Sequence, residues 1–380
     1  MRILHVVDFP PLHGGSAVVP YQMSKQLSKN GHEVTLYASQ TRSSQTYTNL
    51  LPEVRVHAFN TWLSLANFQV TPGLIGKAKD EVRHFDIIHM HNYRTFQNMV
   101  VHHYARKYGI PYVLQAHGSL TTFFRKGWLK RTFDTVWGYR ILEGAAKVIA
   151  VTTMEAEQYK SMGVSEDKIE IVPHGVDLAE FDDLPQKGEF RRKYGLSDGQ
   201  MVILYLGRID KIKGLDLLAK SFADLSKTAV GIRLVIVGPD SGYLSGLKRL
   251  VSDLRIGDRV IFTGPLYERD KLKAYVDADV YVLPSSYEIF GITVLEACAC
   301  GTPVVITDCC GIAEAIKGQA GLVVAYDEEE LQQALEAMLS DERMRLDFGR
   351  RGRLLVQERY NWARIAGQIE GIYRSLLSNQ

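Results

Sequence analysis

Glu288 and Glu296 stand eight positions apart in "YEIFGITVLEACACGTPVV" (287–305), a stretch that otherwise reads as protein interior. A strand expected at 280–283 ends at Pro284, the loop 285–290 follows, and a helix starts near Gly291 and stops before Gly301, with Pro303 just beyond. Glu288 therefore lies in the loop and Glu296 in the second helical turn, with helix-start N–H groups between them. Each carboxylate accepts two or more hydrogen bonds and so suits vicinal hydroxyls. The N–H groups suit an anion. A cationic element accompanies them in "GRIDKIKGLDLL" (207–218), where Gly207 closes a strand and Arg208 and Lys213 follow at the mouth of the next helix. Such a pair matches the charge of a diphosphate. Near the start, Gly14-Gly15 precede the first helix and let backbone approach a phosphate or sugar oxygen.

These residues need strand ends to hold them. The runs 2–9, 33–38, 86–90, 111–115, 147–152 and 169–172 read as buried strands, with an amphipathic helix at 20–30 ending at Gly31 and further helical stretches between most of the others. This is the pattern of a parallel sheet covered on both faces. It breaks at 173–190, where prolines, glycines and acids read as a linker. It restarts at 201–206, 232–237, 259–262, 280–283, 303–307 and 321–324. The expected architecture is α/β, with two Rossmann-like doubly wound domains, 1–178 and 179–361, facing across a cleft. A last helix (362–380), with an apolar stripe from Trp362 to Leu376, returns to the first domain.

Acids flanking helix-start amides and two cations together match a nucleotide sugar. The dinucleotide alternative fails, because the three-glycine fingerprint is missing and the second strand ends at Ala38-Ser39 rather than at an acid. Among 380 residues the net charge is +2, which argues against nucleic acid as partner. The balance is uneven, with 1–178 carrying +5 and the remainder −3. No apolar run reaches the roughly 20 residues of a bilayer span, and the short apolar start before Asp8 is no secretory signal, so a cytoplasmic protein is expected. The four cysteines, all between 298 and 310, read as small packing residues rather than ligands. Asp277-Ala278-Asp279 looks like a metal-binding acid pair but reads rather as a helix end, and His89 and His91 alternate at a strand end with a spacing that could ligate metal but read rather as acceptor-side or supporting residues, so no metal is expected.

The chain resembles the retaining GT-B glycosyltransferases of family 4, or group 1. The residues that carry the likeness are 288–305, "GRIDKIKG" (207–214), "FTGPL" (262–266, ending at Leu266), Gly14-Gly15 and "HG" (117–118), so it covers nearly the whole chain. The resemblance implies that Glu288 holds the donor sugar, Glu296 the ribose, Arg208 and Lys213 the leaving diphosphate, and the Ile289–Phe290–Gly291 backbone the phosphate or sugar. Gly15 would lie near the distal phosphate, and His117 would face the reacting sugar carbon. At 309–316 the family's glycine pair, proline and acid are replaced by "CCGIAEAI", where only Gly311 and Glu314 keep the pattern.

The function expected is metal-independent, retaining transfer of a hexose or N-acetylhexosamine from a UDP- or GDP-sugar, with no cofactor, to a glycan or to a polyprenyl- or other lipid-linked acceptor in envelope polysaccharide synthesis. The other readings are a nucleotide-sugar epimerase or hydrolase, and a non-catalytic sugar-nucleotide-binding subunit. The mixture of Phe123, Phe124, Trp128 and Trp137 with Arg125, Lys126, Lys130 and Arg131 in 121–140 reads either as an interface for an anionic membrane at its inner face or as a helix with core aromatics.

Overall fold

The computed structural model describes residues 1–8, 17–40, 52–65, 68–121 and 127–378. The chain forms two compact units, one of Met1–Gly175 with Trp362–Gln380, the other of Val176–Asn361. The change of unit falls after Gly175 rather than after 178.

The first unit contains β1 (Arg2–Val7), β2 (Glu33–Gln40), β3 (Arg55–Asn60), the short antiparallel hairpin β4 (Leu63–Leu65) and β5 (Phe68–Val70), then β6 (Ile87–His91), β7 (Tyr112–Gln115), β8 (Lys147–Ala150) and β9 (Ile169–Ile171). Seven of these make a parallel sheet in the order β3-β2-β1-β6-β7-β8-β9. Helix Trp362–Ser378 belongs to this unit. Its Tyr373 hydroxyl meets Nδ1 of His89 at 2.6 Å, and Glu370 pairs with His32 at 3.3 Å. The apolar stripe thus covers the unit in which the sequence begins.

The second unit contains β10 (Met201–Leu206), β11 (Ile232–Val237), β12 (Val260–Gly264), β13 (Val280–Leu283), β14 (Val304–Thr307) and β15 (Gly321–Val324). They form a parallel sheet in the order β12-β11-β10-β13-β14-β15. Its central strands are buried along almost their whole length because helices cover both faces, which is why they read as continuous apolar runs. In each sheet the chain order reverses beside the first strand, between β1 and β6 and between β10 and β13. Open parallel sheets bind ligands at such points, beyond the carboxyl ends of the strands.

Two features depart from the sequence reading. The stretch 173–190 carries a short turn of helix at Leu178–Phe181 and a helix at Glu189–Lys193. The helix expected across 121–140 is Gly127–Phe133, a wider turn Asp134–Gly138, then Tyr139–Gly144. The wider turn lets Asp134, which is buried, reach the largely buried Arg94 (2.7 Å) and keeps Gly138 against Tyr93, whose hydroxyl would lie 2.3 Å from a Cβ at that position.

Candidate active site

In the second unit the loops after β10 and β13 are stitched together. The turn Lys211–Lys213 is capped by Asp210, whose carboxylate accepts from Ile212 N. Ser286 donates to the Ile212 carbonyl from both its backbone N–H (3.0 Å) and its hydroxyl (3.1 Å). Gly214 (φ 65°) closes the turn so near β13 that a Cβ there would stand 1.9 Å from the Pro284 carbonyl oxygen. The stitching sets Lys213 in an ion pair with Glu288, both largely buried. The Glu288 backbone is itself tied to the loop after β14, by Glu288 N to Cys309 O (3.0 Å) and Gly311 N to Glu288 O (2.8 Å). So the loop 309–311, where the family pattern is altered, serves as the backrest of Glu288.

Gly291 (φ 90°) starts helix Ile292–Ala299 in a conformation that glycine adopts without strain. The side chains of Ile289 and Phe290 are buried, Phe290 beside Tyr360, so these residues offer backbone to a ligand. Glu296 is held on both oxygens, by Lys271 Nζ at 2.7 Å and by the Tyr275 hydroxyl, which donates at 2.9 Å. Both partners lie on helix Glu268–Asp277, and sequence reasoning did not find them. Arg208 projects into solvent just beyond β10 and forms no ion pair among the described residues. Leu266 is half-buried just beyond β12. The structure thus gathers Arg208, Lys213, Glu288 to Gly291 and Leu266 along the carboxyl edge of one sheet, with Glu296 in the helix that opens there.

In the first unit His117 follows β7 with φ 52°, and Gly118 follows with φ 82°. A non-glycine residue in the left-handed region costs about 1–2 kcal/mol, and the surroundings enforce it. Glu155 accepts from Gly118 N (2.5 Å) and Val151 N (2.8 Å), while Arg94 donates to the carbonyls of Ser119 (2.5 Å) and Leu120 (3.0 Å). "TTME" (152–155) carries the capping-box signal, Thr152 Oγ accepting from Glu155 N, which makes Glu155 legible in retrospect.

Both ring nitrogens of His117 are engaged, Nε2 with His91 Nδ1 at 2.9 Å and Nδ1 with His174 Nε2 at 3.0 Å. Burial, then the neighbouring His174, hold its pKa well below the ordinary value, so the ring is neutral. It reaches a sugar only by giving up one of these bonds. Otherwise the residue presents its backbone. Asp8, at the end of β1, is pushed up to about 7 by burial against the opposing bond from Asn92. Gly14 and Gly15 lie outside the described residues, as do Phe123, Phe124, Arg125 and Lys126.

Burial likewise raises the Glu155 carboxyl from 4.5 to about 7, the N–H donors of Val151 and Gly118 opposing it. Between those two pH values the folded chain holds more protons than the unfolded chain, so stability falls as pH rises. Glu155→Gln is expected to flatten the fall of melting temperature between pH 5 and 8. The share of the wild-type loss that Glu155 contributes over that window is about 2–3 kcal/mol, Asp8 adding its own. Thermal unfolding of both proteins at several pH values reads this directly, and parallel curves would remove the assignment.

The acids at 277 and 279 have structural duties. Asp277 accepts from Gly188 N, Phe190 N and Arg191 N, and Asp279 pairs with Arg191 at 2.8 Å. All four cysteines are free, and among the described residues none belongs to a cluster with metal-ligand spacing. Cys298 and Cys310 are buried, and Cys310 Sγ donates to the Phe290 carbonyl.

Residues 186–355 match the model of the glycosyl transferases group 1, and residues 13–180 that of Glycosyltransferase Family 4. A D-inositol 3-phosphate glycosyltransferase of Pseudarthrobacter chlorophenolicus is 31% identical, over 93% of this chain and 88% of that protein. The chain belongs to the group 1, family 4 glycosyltransferases. Among solved structures, Anabaena HepE in complex with UDP and glucose superposes with a TM-score of 0.82 at 19% identity, covering 99% of this chain and 100% of that one. WaaG, a glycosyltransferase involved in lipopolysaccharide biosynthesis, gives 0.73 at 18%, covering 98% and 99%. At these identities the structures speak for the fold, which is GT-B.

Proposed function

We propose that this glycosyltransferase moves a hexose or N-acetylhexosamine, with retention and without a metal ion, from a nucleotide diphosphate sugar to a glycan or lipid-linked acceptor of the cell envelope. The observation that carries the reading is the Lys213–Glu288 pair, fixed by the stitched loops at the carboxyl ends of β10 and β13. Glycosyl transfer passes through an oxocarbenium-like transition state, in which the leaving phosphate gains negative charge as the sugar carbon becomes positive. Lys213, Arg208 and the first-turn N–H groups of Ile292–Ala299 stabilise that phosphate, a task that metal ions perform in other phosphate sites. Glu288 then turns from the lysine to the sugar hydroxyls, and Glu296 shares its remaining lone pairs with the ribose. His117, held neutral, carries no positive charge of its own. The acceptor hydroxyl attacks from the face the phosphate leaves, and the phosphate oxygen takes its proton.

UDP is the nucleotide to test first, since the HepE complex contains it. In metal-depleted buffer, a UDP- or GDP-sugar at 100 times its dissociation constant stabilises the protein by about 2.7 kcal/mol, seen as a rise in melting temperature. With acceptor, transfer proceeds, manganese adds nothing, and the product keeps the donor's anomeric configuration. Inversion, or hydrolysis without transfer, would overturn the reading.

The place of action we propose is the cytoplasmic side, peripheral at the inner face of an anionic membrane. No helix among the described residues is long and apolar enough to cross a bilayer. Trp128 is 71% exposed and Trp137 44%, with Leu129, Val136, Tyr139, Arg131 and Arg140 also exposed, so these aromatics are not core. Such a surface suits a headgroup region. Flotation with vesicles containing phosphatidylglycerol carries the protein upward, and Trp128→Ser with Trp137→Ser reduces the floated fraction. Equal flotation of the variant would reject this surface.

A further inference from the structure

His5 and His89 are direct neighbours across the β1–β6 ladder, and His91 follows two residues along β6, so all three imidazoles project from one face of the sheet. A ligating nitrogen of each lies within 4.8 Å of those of the other two, and all three side chains are buried. The Nε2 atoms of His5 and His89 have no hydrogen-bond partner among the described residues. Gln115, in register with His91 across the next ladder, is buried and its side chain bonds toward His89. Buried polar atoms are rarely left unpaired, and each such atom calls for an occupant. Here two of them belong to adjacent imidazoles of one cluster.

His89 and His91 are already braced through their other nitrogen, and His5 is held by Ser24. His5 Nδ1 meets Ser24 Oγ at 3.2 Å, His89 Nδ1 meets the Tyr373 hydroxyl at 2.6 Å, and His91 Nδ1 meets His117 Nε2 at 2.9 Å. A histidine that binds metal through one nitrogen almost always donates its other N–H to such a partner. His91 Nε2 also lies 3.2 Å from His5 Nδ1. That contact shows how closely the rings already converge.

We propose that His5, His89 and His91 form a three-imidazole site for one borderline divalent ion of the Zn²⁺ type. Three neutral imidazoles select zinc, cobalt, nickel or copper over magnesium, calcium or manganese. With Zn–N distances of about 2.0–2.1 Å, His5 binds through Nδ1, which already lies 3.2 Å from His91 Nε2, and exchanges its Ser24 contact for the ion, while a water beside Gln115 fills the fourth position. Ionisation of that water, whose pKa falls to about 7 on such zinc ions, lowers the buried charge. The ion ties helix Trp362–Ser378 to the sheet through Tyr373 and fixes the tautomer of His91, and through it the ring of His117. Its ligands belong to the first unit, so it is separate from leaving-group stabilisation, and the site stands or falls independently of the donor reading.

The test uses the full chain, stripped with chelating resin and titrated with Zn²⁺ and Co²⁺. Expected are one metal per chain by elemental analysis and the visible absorption of tetrahedral cobalt with nitrogen ligands. His89→Gln abolishes the stoichiometric binding. Tyr373→Phe, which keeps the apolar packing, weakens it about tenfold. His103→Gln, at an exposed histidine, leaves it unchanged. No uptake by the wild-type chain, uptake unaltered in His89→Gln, or loss in His103→Gln would each overturn the site. The first outcome would assign the pocket to ordered water.

Discussion

Lys213→Ala is expected to lower kcat by about 10²–10³-fold with a smaller change in KM, the cost of removing one fixed donor from developing negative charge. The reasoning is differential: the lysine meets a phosphate whose charge grows only as the glycosidic bond breaks, so its loss falls on the transition state more than on donor binding. Lys213→Arg retains the charge but not the compact ammonium, and recovers only part of the rate. Lys211→Ala, an exposed lysine in the same turn, serves as the control and leaves the rate unchanged. Steady-state kinetics with saturating acceptor separate the two constants. Equal loss in Lys213→Ala and Lys211→Ala would mean that the turn as a whole, and not this ammonium, matters. Unchanged turnover in Lys213→Ala would remove the leaving-group role altogether.

The prominence of Lys213 could be read from its place after a strand, but its partner could not. The strands themselves were legible because both sheets are covered on both faces: 201–206, 280–283 and 321–324 are continuous apolar runs, 232–237 is broken only by Arg233, and their ends coincide with the observed β10, β13, β15 and β11. Strand β3 escaped notice for the opposite reason. It lies at the sheet edge, reads "RVHAFN", and is half exposed, so it offers no apolar run. The candidate site divides in the same way. Glu288, Glu296 and Lys213 announce themselves as charges beside glycines at strand ends. The Lys213–Glu288 contact spans 75 residues, and Lys271 and Tyr275 meet Glu296 only because two helices lie side by side. The histidines are the clearest instance. His5, His89, His91, His117 and His174 are scattered over most of the first unit's sequence, and only the sheet order places β1, β6 and β7 together, with β9 two strands beyond β7. "HMH" at 89–91 was visible as a metal-like spacing, yet nothing local shows that His5 stands in register beside it.

The same long-range stitching makes Gly214 a position whose substitution should cost heavily in stability and in donor binding together. A Cβ at Gly214 would stand 1.9 Å from the Pro284 carbonyl oxygen and 2.9 Å from its carbon, and both are backbone atoms that cannot swing aside. The φ of 65° adds the strain of a left-handed residue. Gly214→Ala therefore combines about 1–2 kcal/mol of backbone strain with about 1–3 kcal/mol of overpacking. It has to push the turn Lys211–Lys213 away from the loop after β13, breaking the Ser286 bonds to Ile212 and parting Lys213 from Glu288. Denaturant unfolding is expected to show a loss of about 3 kcal/mol, in the range reserved for clashes and cavities. Donor affinity should fall with it even where the variant is fully folded, since the cation and the acid would no longer be held at one place. Asp210→Ala separates the two effects. It removes the cap of the same turn but leaves the Gly214 approach intact, and costs about 1 kcal/mol. If Gly214→Ala were no worse than Asp210→Ala in both unfolding and nucleotide-sugar binding, the close approach of the turn to Pro284 would not be what positions Lys213.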